Sequence, residues 1–237
     1  MYLLQGTYVA YDGEKIYTAK PGDAIIARKN HLIRYTKNKI ENEFHKIVIA
    51  LDEPFLRSFL TKHPYKPGAF ENDDSILEVK VDALVRNFVN SLEPYYKGSE
   101  KLDPDFADVK REELLIILLK QNPALATVFF NFSIPQRIDL ETFMNKNFRF
   151  NIKLEQFAFL SGRSLSTFKR DFHKTFNEMP GTWLTRKRLE EAHFQIKNNN
   201  IKPGDIYLEV GFENLSHFSF AFKKQFGVSP VEVQRAE

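Results

Sequence analysis

The chain has 237 residues, 43% hydrophobic, 27% charged and 14% aromatic, a globular composition for one large or two ordinary domains that excludes a disordered or collagen-like protein. It has no cysteine, which excludes disulfides, thiolate metal sites and cysteine nucleophiles and makes the cytoplasm the expected location. The net charge of +3 is uneven: cut near Ile134, the first part carries 18 Lys+Arg against 19 Asp+Glu and the second 16 against 12, as fits a nucleic-acid-binding module joined to a nearly neutral one.

At the start, MYLLQGTYVAYDG lacks the basic-then-apolar layout of an export signal, and the longest strongly apolar run, 114–119, is too short to span a bilayer. No membrane attachment is expected. Residues 2–51 read as strands, with β-branched and aromatic runs at 8–11, 15–19, 24–27 and 46–51 separated by turn signals at Asp12-Gly13 and Pro21-Gly22-Asp23. Pro54 then opens a helix to Leu60. The stretch 76–96 sets Leu77, Val81, Leu84, Val85, Phe88 and Leu92 at helical spacing. Asp103-Pro104 restarts the chain, and 110–120 predicts a second helix with little polar surface in its middle. Together they predict a helical hairpin with more apolar face than one sheet needs, the surplus forming either a dimer surface or core packing. Asn122-Pro123 and Ser133-Ile134-Pro135 interrupt the pattern. The expected division is 1–125, a linker at 126–137, and 138–237.

The strongest signal is an internal repeat. From Leu165 the chain reads LSTFKRDFHKTF, and fifty positions on, from Leu215, it reads LSHFSFAFKKQF; Pro180 and Pro230 follow at the same offset. Duplication is the simplest explanation. Each copy predicts a helical hairpin. In the first, Leu154, Phe157 and Ala158 lie on one helix, Ser161-Gly162-Arg163 turns, and Ser164 caps the next helix. In the second, 206–210 is the helix, Gly211-Phe212-Glu213 the turn and Asn214 the cap. Leu165, Phe168, Phe172 and Phe176 form one core stripe, and Leu215, Phe218, Phe222 and Phe226 another.

What remains for the outer faces is Ser166, Thr167, Lys169, Arg170 and Lys174 in the first copy, and Ser216, His217, Ser219, Phe220, Lys223 and Lys224 in the second. Hydroxyls near a helix start with cations along and after them suit a helix lying in a major groove, where early side chains reach base edges and Lys and Arg meet base acceptors or phosphates. The capped helix starts add backbone N–H groups that can hold a phosphate. Between the copies, a helix from Pro180 through Lys197 carries Trp183, Leu184, Leu189, Ala192 and Ile196 on one side and sets the distance between the two readers. The competing interpretation is a plain helical bundle with a basic surface.

These residues resemble the AraC/XylS family of bacterial transcription regulators. The resemblance covers about residues 138–235, strongest over IYLEVGFENLSHFSFAFKKQFGVSP and supported by RKRLEEA at 186–192 and LSTFKRDF at 165–172. It implies two helix-turn-helix units joined by a linking helix, with both second helices entering successive major-groove faces of double-stranded DNA. Carried over by position, it implies base reading by Ser166, Lys169 and Arg170, then by Ser216, His217 and Ser219. Three positions depart from the family pattern: Phe220 stands where a basic residue is common, Tyr207 where a small Ala is usual, and Val233 where Tyr is frequent after Ser-Pro.

The segment GTYVAYDGEKIYTAKPGDAIIARKNH looks like the middle of a cupin-type β-barrel, the usual sensing domain of the family. More strands generally precede the Gly6 region there, so the barrel is expected to be short or the chain to start late. His31, His45 and His63 are too scattered for the closely spaced pairs of a metal-binding cupin. No Gly-rich phosphate loop, Ser nucleophile elbow or paired-carboxylate motif is present. The expected fold class is α+β: a partial cupin-like barrel with a helical hairpin, then an all-α double helix-turn-helix domain. The expected function is a non-enzymatic, cofactor-free regulator that binds DNA, dimerises through its first domain and activates through RNA polymerase, as family members usually do. Two alternatives stand beside it: a cupin-type enzyme with a helical appendage, and a regulator whose first domain meets a partner protein instead of a small ligand.

Overall fold

Short β-branched and aromatic runs do form the strands of the computed structural model, which describes residues 1–65, 70–97 and 104–235. The chain separates into two compact units, Met1–Ser133 and Ile134–Glu237. The first begins with β1 (Tyr2–Gln5), β2 (Thr7–Tyr11), β3 (Ile16–Ala19), β4 (Ala24–Ala27), β5 (Arg34–Asn38) and β6 (His45–Ile47). Then come α1 (Glu53–Lys62), β7 (Ile76–Val79), α2 (Ala83–Ser91), α3 (Glu93–Lys97), α4 (Pro104–Gln121) and α5 (Leu125–Phe129).

The strands make two antiparallel sheets, one ordered β6-β1-β4-β7 and one ordered β3-β2-β5. This corrects the expectation of a cupin-like barrel. A barrel requires a closed ring of pairing, whereas among the described residues β3 and β5 each pair only with β2, and β6 and β7 end the other sheet. The chain passes from one sheet to the other at Gly6, and the strands are only three to five residues long. The inner faces bury Leu3, Tyr8, Ala10, Ala19, Ile25 and Ile76, following the alternation read from β2. With the barrel, the cupin-type enzyme loses its basis. His31, His45 and His63 stand at separate places, against Ser75, Glu43 and Glu112 respectively.

A second correction concerns 76–96. Its first part is not helix: β7 pairs along β4 from Ala24↔Val79 to Ala27↔Ile76, so tertiary pairing overrides the helical spacing of Leu77 and Val81. Helix α2 starts where Asp82 accepts a hydrogen bond from Val85 N at 3.0 Å, an N-cap that satisfies one of the free N–H groups of its first turn. The start signal at Asp103 lies outside the described residues, and α4 begins at Pro104.

The apolar surplus also resolves. Phe88, from the first of the two helical stretches, and Leu115, from the second, are 2% and 0% exposed and belong to the monomer's own core. Leu115, Leu118 and Leu119 pack with Leu56, Phe59, Leu77 and Phe129, while Ile117 packs with Val85, Phe88 and Val89. Between this helical layer and the four-stranded sheet lies a largely apolar cavity of about 560 Å³, lined among others by Ile25, Ile49, Leu56, Phe88 and Leu118.

The second unit is wholly helical: α6 (Leu140–Asn147), α7 (Leu154–Leu160), α8 (Leu165–Phe176), α9 (Pro180–Asn199), α10 (Pro203–Glu209), α11 (Leu215–Phe226) and α12 (Pro230–Arg235). Helix α9 is the shared spine. Trp183 near its start meets Phe172 and Phe176 of α8, whereas Leu189, Ala192 and Ile196 further along pack with Ile206, Phe218 and Phe222.

Candidate DNA-reading surface

Each outer helix of the second unit is started by a side-chain cap. Ser164 accepts from Thr167 N at 3.3 Å and its hydroxyl also bonds Thr167 Oγ1 at 3.0 Å. Asn214 Oδ1 accepts from Ser216 N at 2.8 Å and His217 N at 3.1 Å. Both helices close with a left-handed residue, Asn177 and Gly227, an arrangement that satisfies the last carbonyls. Phe168, Phe172, Phe218 and Phe222 are fully buried, each contributing about 2–3 kcal/mol by burial. The expected core stripe is less complete at its ends. Leu165 is half-buried and Leu215 is 41% exposed.

Burial of the Phe side chains turns the opposite face outward. On α8 the structure leaves Ser166, Lys169, Arg170 and Lys174 exposed, with Thr167 half-buried against the Ser164 cap. On α11 it leaves Ser216, His217, Lys223 and Lys224 exposed, Ser219 half-buried and Phe220 71% exposed. The two faces differ in charge placement. Arg170 Nε stands 3.6 Å from Asp171 Oδ1 while remaining largely solvent-exposed, so solvent or a base edge competes for it cheaply. Burial pushes the Asp171 carboxyl up, but Arg163, Arg137 and Arg170 outweigh that and hold it below the usual range. His217 lies beside the Phe212 ring, centroids 5.6 Å apart.

The turns explain how the two hairpins keep their shape. In the first, Arg163 donates to Ile138 O at 3.0 Å, Ser161 O at 2.7 Å and Asp171 Oδ2 at 3.2 Å. Gly162 sits at φ +70, and a Cβ there would stand 2.4 Å from the Gln136 carbonyl carbon, so this close backbone approach tolerates only glycine. The second turn is one residue longer: α7 and α10 start 49 positions apart, α8 and α11 fifty. Phe212, expected as a turn residue, is buried in the core. Gly211, at φ +93, lies against Arg149 O and the Arg188 guanidinium. Sequence reading places Arg163 only in the turn and gives Arg188 no role, because an arginine that bonds carbonyls leaves no spacing pattern.

Residues 1–128 match the model of the ExsA N-terminal regulatory domain, and residues 158–236 match a helix-turn-helix domain. The chain is 26% identical to the HTH-type transcriptional regulator ExsA of Pseudomonas aeruginosa over 234 residues, spanning 96% of this chain and 82% of that protein. It is 24% identical to the virulence regulon transcriptional activator VirF of Yersinia enterocolitica over 240 residues, spanning 98% and 87%. Among solved structures, apo ToxT of Vibrio cholerae aligns over 99% of this chain and 87% of its own at 14% identity, with a TM-score of 0.42.

Proposed function

The chain belongs to the AraC/XylS family of bacterial transcription regulators, and from that premise we propose that α8 and α11 read two successive major-groove faces of one operator to activate transcription. It is a DNA-binding regulator with an N-terminal accessory domain, not an enzyme. The observation that carries the two-reader proposal is the pairing of two capped helices, each with its phenylalanines buried and its hydroxyls and cations facing solvent. Helix α9, at 20 residues, is about 30 Å long, close to the ~34 Å between successive major-groove faces. Activation is supported by the name that VirF carries, and it implies RNA polymerase as a partner. Transcription takes place at the chromosome, so the reading puts the protein in the cytoplasm; among the described residues no helix is long and apolar enough to cross a membrane. The cavity in the first unit supports a sensing role for that domain, and a homodimer through it completes the reading.

In this reading Ser166, Lys169 and Arg170 meet bases in one half-site, and Ser216, His217 and Ser219 in the other. Ser164, Thr167 and Asn214 present the capped helix starts, and Lys174, Lys223 and Lys224 meet phosphates. Arg pairs with guanine O6 and N7 and discriminates by about 1–3 kcal/mol, so the α8 half-site is the stricter one. Selecting sites from randomised duplexes with wild type, Arg170→Ala and Lys224→Ala tests this. Arg170→Ala is expected to relax preference at one or two base pairs, and Lys224→Ala to weaken all sequences alike. Wild-type affinity is expected to fall by orders of magnitude between about 50 and about 200 mM salt. Equal information in both half-sites, unchanged by Arg170→Ala, would show that the readers are wrongly assigned.

A further inference from the structure

Arg188, in the middle of α9, is half-buried and spends its guanidinium on three backbone carbonyls. Nε donates to Phe148 O at 2.7 Å, Nη2 to Phe150 O at 2.8 Å and Nη1 to Gly211 O at 3.0 Å. Two of these acceptors lie in the connection between α6 and α7, before the first hairpin, and the third is the turn of the second hairpin. Among the described residues no carboxylate pairs with it, and burial alone pushes its pKa down to about 10, which leaves it charged at neutral pH. A cation that loses hydration and gains only carbonyls depends on those hydrogen bonds to offset the cost of burial, so its position is fixed by where the carbonyls lie.

The surroundings repeat the same connection. Arg149 pairs with Glu191 of α9, and Asn151 Nδ2 donates to Glu213 Oε1 of the second turn at 2.7 Å. Gly211 leaves room for this junction, because a Cβ there would stand 2.6 Å from Arg149 O and 3.0 Å from Arg188 Cζ. The apolar contacts of α9 are divided, its first half facing α8 and its second half facing α10 and α11. The polar junction around Arg188 is therefore where the segment leading into the first hairpin is tied directly to the turn of the second.

We propose that Arg188 is a positioning residue that fixes the separation and rotation of the two readers, so that the protein discriminates operators by the spacing between half-sites. Arg is suited to this task because its planar fork presents donors in fixed directions, whereas a lysine ammonium is a flexible point charge. The inference rests on both hairpins docking on one duplex.

The test uses the full chain and a duplex selected by the wild type from a random pool, together with versions carrying one or two base pairs inserted between the half-sites and versions with either half-site scrambled. Arg188→Met is expected to bind the native spacing at least about tenfold more weakly, to bind each single half-site as the wild type does, and to lose most of the penalty for altered spacing. Arg188→Lys should fall between. Because Arg188→Met risks losing the fold, Asn151→Ala, which removes only the exposed tie to Glu213, is expected to shift the spacing penalty in the same direction by a smaller factor. A variant set that discriminates spacing as sharply as the wild type, or an Arg188→Met chain that loses half-site and full-site binding by the same factor while Asn151→Ala changes nothing, would overturn the proposal. A wild type indifferent to spacing would instead overturn two-reader docking, and the role of Arg188 with it.

Discussion

Phe220 is where a single side chain would add to the proposed reading of DNA. It stands 71% exposed on the outer face of α11, where Arg170 stands on α8. A phenylalanine there offers no hydrogen bond, but its ring can contact the methyl group of thymine. Phe220→Ala is therefore expected to reduce preference for thymine at one position of the second half-site by about 1 kcal/mol, with the first half-site unchanged; competition binding against single-base variants measures it. Loss spread evenly over both half-sites would show that the ring only supports the fold. Its outward direction was legible: two positions beyond buried Phe218 and two before buried Phe222, helical spacing turns it away from the core. Arg188 was not legible, since its partners are backbone carbonyls far away in sequence.

At the scale of elements, periodicity revealed what is locally determined and missed what is settled by distant pairing. The caps at Ser164 and Asn214 and the buried Phe stripes follow from residues within a turn or two of each other, and the repeat states each of them twice, so the second unit is readable from sequence. Strand β7 was not, because Ile76–Val79 is extended only by virtue of its partner β4, about fifty residues earlier. The two-sheet arrangement was hidden likewise: an alternating run predicts a strand without saying which strand lies beside it. A small polar junction now joins those sheets. Tyr17 donates to Asp12 Oδ2 at 2.7 Å, Asp12 Oδ1 accepts from Lys15 N at 2.8 Å and Glu14 N at 3.1 Å, and Ser75 N reaches the Tyr17 hydroxyl at 3.3 Å. Burial pushes the Asp12 carboxyl up, yet these hydrogen bonds prevail and bring its pKa to about 2. A carboxylate with a depressed pKa stabilises the fold above its unfolded value near 4 and loses that contribution as pH falls towards 2. Asp12→Asn is expected to cost about 2 kcal/mol at neutral pH, with the gap closing between about pH 4 and pH 2. Denaturant titrations of the full chain across that range check it, and a pH-independent gap would assign the effect to packing.

For the whole molecule, the two units are each compact with cores of their own, and the proposed dimer belongs to the first. With Phe88 and Leu115 committed to the interior, the large apolar side chains left outside on the helical layer, among the described residues, are Leu84, Phe106 and Val109, 53%, 57% and 63% exposed. If they form the dimer contact, Leu84→Glu combined with Val109→Glu is expected to convert a dimeric full chain to monomers in light scattering with its far-ultraviolet circular dichroism unchanged, and to lower its melting temperature only by the stabilisation that the partner subunit gave; a dimer unaffected by the pair would place the contact elsewhere. The second unit has a different consequence. Helices α8 and α11 are both twelve residues long, both begin at a side-chain cap and both end in a left-handed residue, while the extra residue of the second copy lies in the turn outside them. If α8 and α11 are the two readers, they are cassettes of equal length on one frame. Writing the outer residues of α8 onto α11 is then expected to turn a regulator of the proposed asymmetric site into one addressed to a tandem direct repeat, with the spacing between repeats inherited unchanged from the frame.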